Sequence, residues 1–210
     1  MKTLSDVKLY CFSPGGFLKD RDPADLVSAQ IRGGADVIQL REKDMSKKDR
    51  LKVGLRIREL TRQTGVLFIV NDDIDLALIL DADGVHLGQD DIPIRYARPL
   101  MKEKIIGIST HSIGQVQKAV ASGADYIGVG PVFETTTKAN PAKRVGPELL
   151  LKIRNDCPIP HVAIGGIGID NIDVVTKAGC HRAAVISDIL LAPDVEKQCR
   201  MIKARLNPHL

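Results

Sequence analysis

Acidic side chains directly follow two apolar runs in the middle of the chain. Asp72 comes two residues after "VLFIV" (66–70), and Asp91 ends "GVHLGQDD" (84–91). If both runs are neighbouring parallel strands, their carboxyl ends meet at one edge, where Asp72 and Asp91 can share a hard cation. Magnesium favours one or two carboxylates together with waters and substrate phosphates. The pair therefore predicts a Mg²⁺ site, whereas Asp73 is interpreted as the N-cap of the following helix.

Basic and amide side chains end an earlier apolar run, "DVIQLREK" (36–43). Alternation along a strand directs Gln39, Arg41 and Lys43 to the same side. Arg and Lys form strong hydrogen bonds to phosphate oxygens because the donor is charged. Arg41 and Lys43 are therefore expected to hold the outer oxygens of a diphosphate beside the carboxylate pair.

Later runs end in hydroxyl groups and glycines. "GVGPVFETTTKANP" (128–141) gathers three hydroxyls and an ammonium group, which suits either a solvated loop or a phosphate site. "IGGIG" (164–168) and "AAVIS" (183–187) offer backbone N–H groups near helix starts, the usual phosphate cradle in the last two units of a barrel. His86 could be a general base, but a role in the pocket wall is the preferred interpretation.

The elements that must position these residues alternate along the whole chain. Eight short β-branched runs recur, and their nearly continuous apolar character suits parallel strands buried on both faces. The turn before a strand repeats as "GGAD", "DAD", "SGAD" and "AGC". Eight alternating β/α units predict a single TIM (β/α)₈ barrel over residues 1–210, with the active site at the carboxyl ends of the strands. The alternative is a doubly wound open sheet, but "SPGGF" does not fit its GxGxxG turn.

The sequence also predicts where several helices begin and end. Asp22 and Ser46 are predicted N-caps, and Gly65 is a predicted helix stop. Two prolines between residues 92 and 104 leave room for only a short helix there. Apolar stripes at helical spacing predict the buried faces of three helices. They are Val53, Ile57 and Leu60 in the helix between Ser46 and Gly65; Ile113, Val116 and Val120; and Val195, Cys199, Ile202 and Leu206.

Composition excludes several function classes. The 210 residues are 44% hydrophobic and only 3% aromatic, with no Trp, which argues against a base-stacking nucleic-acid platform. The net charge of +4 comes from scattered Lys and Arg and is compatible with anionic small-molecule substrates. The four cysteines form no CxxC pair, so they are interpreted as reduced and structural. No apolar stretch approaches the length of a membrane span or a signal-peptide core, so a cytoplasmic location is expected.

A series of motifs closely resembles the thiamine-phosphate synthase (thiamin phosphate pyrophosphorylase) family. The motifs occur in the family's order from about residue 35 to residue 190: "VIQLREKD", "VND", "ADGVHLGQDD", "IGISTHS", "ADYIGVGPVFETTTK", "VAIGGI" and "AVIS". The resemblance implies a transferase that joins 4-amino-5-hydroxymethyl-2-methylpyrimidine diphosphate to a thiazole phosphate or its carboxylate. Thiamine monophosphate and pyrophosphate are the implied products, formed by Mg²⁺-assisted dissociative loss of diphosphate.

The resemblance also implies roles for individual residues. Asp72 and Asp91 are the implied magnesium ligands, and Ser109 resembles the family's serine near the reacting pyrimidine. The implied contacts to the pyrimidine diphosphate are Gln39, Arg41, Lys43, Asn71 and Lys138. The implied contacts to the thiazole phosphate are Thr135, Thr137, Gly166, Ile186 and Ser187. Arg41, Ser109 and Lys138 are expected to act directly in the reaction.

Two departures from the family pattern bear on this interpretation. The first strand ends in "FSPGGF" rather than an Ile/Val-Thr-Asp-like sequence, and Glu134 stands where a proline is common. Glu134 is reminiscent of the thiazole tautomerases, so a tautomerase-like isomerase remains an alternative, as does a non-catalytic protein that binds thiazole phosphate. Neither alternative needs the diphosphate-binding set. The oligomeric state stays open, and a homo-oligomer is compatible with the sequence.

Overall fold

Eight parallel strands close into a barrel in the order in which they occur along the chain. The computed structural model describes residues 4–17, 21–135 and 143–207. The strands are β1 (Leu9–Phe12), β2 (Val37–Leu40), β3 (Leu67–Asn71), β4 (Gly84–Leu87), β5 (Ile105–Thr110), β6 (Tyr126–Val129), β7 (His161–Ile164) and β8 (Ala183–Ala184). The predicted TIM barrel is therefore confirmed, and the open-sheet alternative is wrong.

Helices connect the strands and surround the barrel. They are α1 (Pro23–Arg32), α2 (Lys47–Thr64), α3 (Ile74–Ile79), α4 (Ile94–Met101), α5 (Ile113–Ala121), α6 (Gly146–Ile153), α7 (Ile172–Lys177), α8 (Ser187–Leu190) and α9 (Val195–Leu206). The predicted caps at Asp22 and Ser46 are confirmed, because Asp22 accepts a hydrogen bond from the Ala24 N–H and Ser46 accepts one from the Asp49 N–H. Among the described residues, no helix is long and apolar enough to cross a membrane.

Two of the predicted helix faces need correction. In α5, Ile113 is 40% exposed, and Ala119 takes its place beside Val116 in the buried face. In α2, the fully buried positions are Gly54, Ile57 and Thr61, while Val53 and Leu60 are only partly buried. The reason lies in close packing: a β-carbon on Gly54 would come within 2.5 Å of Leu80, so the helix approaches its neighbours through the glycine.

The repeated Asp before a strand has a common structural role. Asp36 accepts hydrogen bonds from the Lys8 and Leu9 N–H groups, where β1 begins. Asp83 accepts from the Phe68 N–H at the start of β3, and Asp125 accepts from the Ile106 N–H at the start of β5. Each carboxylate also pairs with a basic side chain on a helix: Lys203, Arg58 and Arg98, respectively. The repeat therefore ties the amino-terminal ends of adjacent strands together.

Apolar side chains form two clusters that the barrel wall separates. The larger cluster fills the space between the strands and the helices. The smaller cluster fills the interior of the barrel and includes Tyr10, Phe12, Leu67, Ile69 and Tyr126. Two of the three tyrosines of the chain thus lie inside the barrel, directly below the carboxyl ends of the strands. The cysteines Cys11, Cys157, Cys180 and Cys199 are free thiols, as predicted.

Candidate active site

A cavity of about 570 Å³ opens at the carboxyl ends of the strands, and all eight strands contribute to its wall. Every predicted site residue that the structure describes lines this cavity: Gln39, Arg41, Lys43, Asn71, Asp72, Asp91, Ser109, Thr135, Gly166, Ile186 and Ser187. Thr137 and Lys138 lie outside the described residues. The fold therefore brings together side chains that are spread over most of the sequence.

Asp72 and Asp91 form a carboxylate pair on one side of the cavity. Burial together with the charge of Asp91 raises the pKa of Asp72 to about 6. Asp72 has a left-handed backbone conformation, with φ of 63°, which few residues other than Gly, Asn and Asp adopt readily. Asp91 is held from the other side by the Gly88 N–H, 2.6 Å from its Oδ2. Both carboxylates thus stand on constrained local backbone in the wall of the same cavity.

The pair fits a hard divalent cation. Asp91 lies close enough to raise the pKa of Asp72, so the two carboxylates present concentrated negative charge to oxygen-seeking ions. Among the described residues, no group of three or more His, Cys, Asp or Glu side chains is placed to hold a metal. An ion bound at Asp72 and Asp91 would have coordination positions left for water and substrate, which is the pattern that Mg²⁺ prefers.

Basic side chains adjoin the carboxylate pair. Lys43 Nζ lies 3.8 Å from Asp72 Oδ2. Arg41 lies half-buried in the cavity wall, where burial lowers its pKa and the nearby Asp72 opposes that effect. An Arg remains protonated under such a shift because its ordinary pKa is above 12. The combination offers cationic donors next to an anionic pair, as binding of a metal–diphosphate complex would require.

The loop after β1 supports these basic residues. Ser13 Oγ accepts a hydrogen bond from the Arg41 N–H at 2.8 Å, and Glu42 Oε1 accepts one from the Gly15 N–H at 3.0 Å. Glu42 is buried, and that burial raises its pKa. The unusual "SPGG" loop is thus fixed against the end of β2. Sequence reasoning missed Ser13 and Glu42, and no spacing signal relates two residues that lie in different β/α units.

The opposite side of the cavity is built from glycines and the start of α8. Gly165 and Gly166 both have positive φ, 101° and 62°. A β-carbon on Gly166 would lie 2.3 Å from the Glu134 carbonyl oxygen, so only glycine permits this close approach. Ser187 is the first residue of α8, where the N–H groups have no partner within a helix. Backbone N–H groups at the start of a helix can bind an anion.

A chain of hydrogen bonds crosses the barrel beneath the cavity. Gln39 Nε2 donates to Tyr10 OH at 2.7 Å, and Tyr10 OH lies 2.9 Å from Tyr126 OH. Tyr126 OH lies 2.9 Å from His86 Nδ1, and His86 Nε2 lies 2.9 Å from Ser109 Oγ. Neither tyrosine was predicted as part of the site. A tyrosine in an otherwise aliphatic barrel strand is a usable signal, because its buried hydroxyl needs a polar partner. His86 lies in the pocket wall.

Asp73 does not have its predicted role, and Glu134 has no assigned role. Asp73 occupies the N-cap position of α3 but makes no capping hydrogen bond through its side chain. Its carboxylate instead pairs with Arg50 and with Lys47 at 3.2 Å, because two cations on α2 compete with the backbone for it. The prediction that Asp73 caps the helix is therefore wrong. Glu134 is exposed at the rim, and its carbonyl oxygen lies against Gly166.

Comparisons with known proteins place this chain in a family. The model of a family described as thiamine monophosphate synthase matches residues 9–189. A thiamine-phosphate synthase of Chloroflexus aurantiacus is 44% identical over 95% of this chain and 92% of its own length. One from Halalkalibacterium halodurans is 41% identical over 97% of both chains. The solved structure of thiamine phosphate pyrophosphorylase from Pyrococcus furiosus superposes with a TM-score of 0.89, at 38% identity over 98% of both chains.

Proposed function

The chain belongs to the thiamine monophosphate synthase family, and from that premise we propose how its cavity binds and joins two phosphorylated substrates. The protein is a transferase that makes thiamine monophosphate. The proposed substrates are 4-amino-5-hydroxymethyl-2-methylpyrimidine diphosphate and 4-methyl-5-(2-phosphoethyl)thiazole or its carboxylate. Pyrophosphate is the second product, and the carboxylate form of the thiazole would release CO₂ as well.

One observation carries this assignment of the site. A single cavity holds an acidic pair with adjacent cations on one wall and a glycine-lined anion cradle on the other. Two separate anion-binding walls suit two phosphorylated substrates held face to face, which converts an encounter between molecules into a reaction within one complex.

The acidic wall is assigned to the pyrimidine diphosphate. Arg41 and Lys43 donate charged hydrogen bonds to its outer oxygens, and Asn71 donates from the end of β3. Asp72 and Asp91 would hold Mg²⁺, which supplies positive charge to the departing diphosphate. Lys138 is assigned to the same leaving group on sequence grounds alone.

The glycine wall is assigned to the thiazole phosphate. Gly166, Ile186 and Ser187 lie where backbone N–H groups can surround a phosphate, and Thr135 adds a hydroxyl at the rim. Thr137 is the second predicted hydroxyl and lies outside the described residues.

The proposed reaction needs little covalent chemistry from the protein. The bond between the methylene carbon and the diphosphate oxygen breaks with its electron pair on oxygen, and the aminopyrimidine stabilises the resulting cation. The thiazole nitrogen then donates its lone pair to that carbon. Arg41 and Lys43 stabilise the charge that develops on the leaving group, while Gln39 and Ser109 hold the pyrimidine ring.

The alternatives are less well supported. A thiazole tautomerase or a non-catalytic thiazole phosphate-binding protein has no use for Asp72, Asp91, Arg41 and Lys43 in one wall. The similar proteins described above are named as synthases. Small phosphorylated substrates fit this family. A cytoplasmic location, a homo-oligomer and the absence of a nucleic-acid partner stay predictions.

The test is pyrophosphate release from purified protein with both substrates and Mg²⁺. Release should require each of the three components, and substitution of Asp72 or Asp91 should abolish it. Exchange of a thiazole carboxylate tautomer without pyrimidine would favour the isomerase instead.

A further inference from the structure

The hydrogen-bond chain beneath the cavity joins two residues on different strands, Gln39 on β2 and Ser109 on β5, through three side chains. Tyr10 and Tyr126 are buried, and His86 completes the connection. Gly107 makes room for the chain, because a β-carbon there would lie 2.2 Å from the Tyr126 ring. Because Gly107 on β5 has no side chain, the ring of Tyr126 on the neighbouring strand β6 fits against it.

The number of available protons decides which group donates in each hydrogen bond between Gln39 and Ser109. Gln39 Nε2 donates a hydrogen bond to Tyr10 OH. The hydroxyl proton of Tyr10 therefore needs an acceptor on another residue. Among the described residues, the other hydrogen-bond partner of Tyr10 OH is Tyr126 OH. If Tyr126 donated to Tyr10, the Tyr10 proton would be buried without an acceptor, which costs free energy. Tyr10 therefore donates to Tyr126.

The direction carries on through His86. Because Tyr126 accepts from Tyr10, its own proton is donated to His86 Nδ1. A neutral imidazole with a bare Nδ1 carries its proton on Nε2, and that proton is donated to Ser109 Oγ. Burial raises the pKa of both phenols, so Tyr10 and Tyr126 stay protonated donors at any working pH.

We propose that Tyr10, Tyr126 and His86 are positioning residues that form a one-way hydrogen-bond relay between Gln39 and Ser109. The relay uses one of the two N–H donors of the Gln39 amide and one lone pair of Ser109 Oγ, and it fixes which way the Gln39 amide faces. Gln39 therefore offers its carbonyl oxygen to a ligand, and Ser109 offers its hydroxyl proton. The relay couples the two ends, because reversing the direction at Gln39 must reverse it at Ser109.

This pattern matches the pyrimidine substrate, and that part of the inference rests on the proposed function. The exocyclic amino group of an aminopyrimidine is a donor and suits the Gln39 carbonyl oxygen. A ring nitrogen is an acceptor and suits the Ser109 hydroxyl. The three positioning residues need not touch the substrate, since they act through the two that do.

The tautomer of His86 tests the relay directly in the free protein. Nitrogen-15 NMR of histidine-labelled protein at pH 8, assigned with His86→Asn, should show the proton on Nε2 and a bare Nδ1. Gln39→Glu at pH 9 places an acceptor-only carboxylate beside Tyr10, so the whole relay should reverse and the proton should move to Nδ1. In Tyr126→Phe the relay is cut, and adding Gln39→Glu to that variant should leave the His86 spectrum unchanged.

Two results would overturn the proposal: a wild-type His86 with its proton on Nδ1, or a folded Gln39→Glu variant that keeps the proton on Nε2 at pH 9. The wild-type measurement needs no substitution, so it decides even if Gln39→Glu does not fold. It also needs no turnover. Absence of thiamine phosphate synthesis would therefore reject the proposed function without touching the relay.

Kinetics of Tyr126→Phe provide a second readout. Loss of one oriented hydrogen bond should raise KM for the pyrimidine diphosphate about tenfold and leave KM for the thiazole phosphate unchanged. A purely structural role would reduce the amount of active enzyme and lower kcat with both KM values constant, which would contradict the relay.

Discussion

Asp72 and Asp91 lie together at the mouth of the barrel, beyond the ends of two adjacent strands, where the charge of Asp91 adds to the effect of burial and raises the pKa of Asp72. Such a pair is unfavourable for the protein alone, because burial and mutual repulsion oppose ionisation of Asp72. The fold tolerates it together with a left-handed backbone at Asp72. A bound divalent cation would relieve both the repulsion and the desolvation.

The first prediction is that Asp72→Asn stabilises the metal-free protein at neutral pH. The folded state holds the Asp72 proton more tightly than the unfolded state, since its pKa rises from 3.8 to about 6. Wild-type stability should therefore fall between about pH 4 and pH 6 and stay level above, relative to Asp72→Asn. With Asp72 35% exposed, solvent screening reduces the difference to about 1 to 2 kcal/mol.

Denaturant unfolding in chelator at pH 4 and pH 7.5 measures this difference, and Asn retains the tolerance for positive φ that Ala lacks. Asp75→Asn is the matched control, because Asp75 is exposed and pairs with Lys47 outside the cavity. A variant less stable than wild type at pH 7.5 would mean that the pair is not strained.

The second prediction concerns the glycine wall. Gly166→Ala should raise KM for the thiazole phosphate about ten- to hundredfold, because the new methyl group would displace the Glu134 carbonyl and the cradle with it. Steady-state kinetics with each substrate varied in turn measure the effect. Gly114→Ala is the control, since nothing lies within 4 Å of its β-carbon position on α5. Similar KM changes in both variants would argue against a cradle at Gly166.

The third prediction addresses the repeated Asp at the amino-terminal end of the barrel. Asp83→Ala removes the acceptor of the Phe68 N–H and leaves Arg58, only 12% exposed, without its closest carboxylate. The free energy of unfolding should fall by about 2 to 4 kcal/mol. Asp173→Ala removes an exposed pair with Arg205 and should cost no more than about 0.5 kcal/mol. Equal losses in urea unfolding would refute the role of the repeat.

The fourth prediction comes from the sequence of the threonine-rich segment, where Thr136 and Thr137 lie outside the described residues. Side chains two residues apart can face one phosphate, so Thr135 and Thr137 should act together while Thr136 points away. Thr137→Val should raise the concentration of thiazole phosphate needed for half-maximal rate, and Thr136→Val should have little effect. Equal effects in the two variants would refute this division.

The sequence predicts the barrel and most of the cavity wall because both depend on local patterns. Strand composition, the caps at Asp22 and Ser46, and the polar residues after each strand are all visible in short windows. The relay is not visible in this way, since Tyr10 and Tyr126 are separated by 116 positions along the chain. Asp73 illustrates another limit, because the position of Arg50 on a neighbouring helix decides whether the carboxylate caps a helix or forms an ion pair.

The most direct test of the proposed site is pyrophosphate release with both substrates in the presence of Mg²⁺, compared among wild type, Asp72→Asn and Asp91→Asn. Wild type should release pyrophosphate and thiamine monophosphate in equal amounts, and chelator should stop both. Each variant should be folded and inactive. Full turnover in chelator, or undiminished release by either variant, would contradict the assignment of Asp72 and Asp91 to the metal.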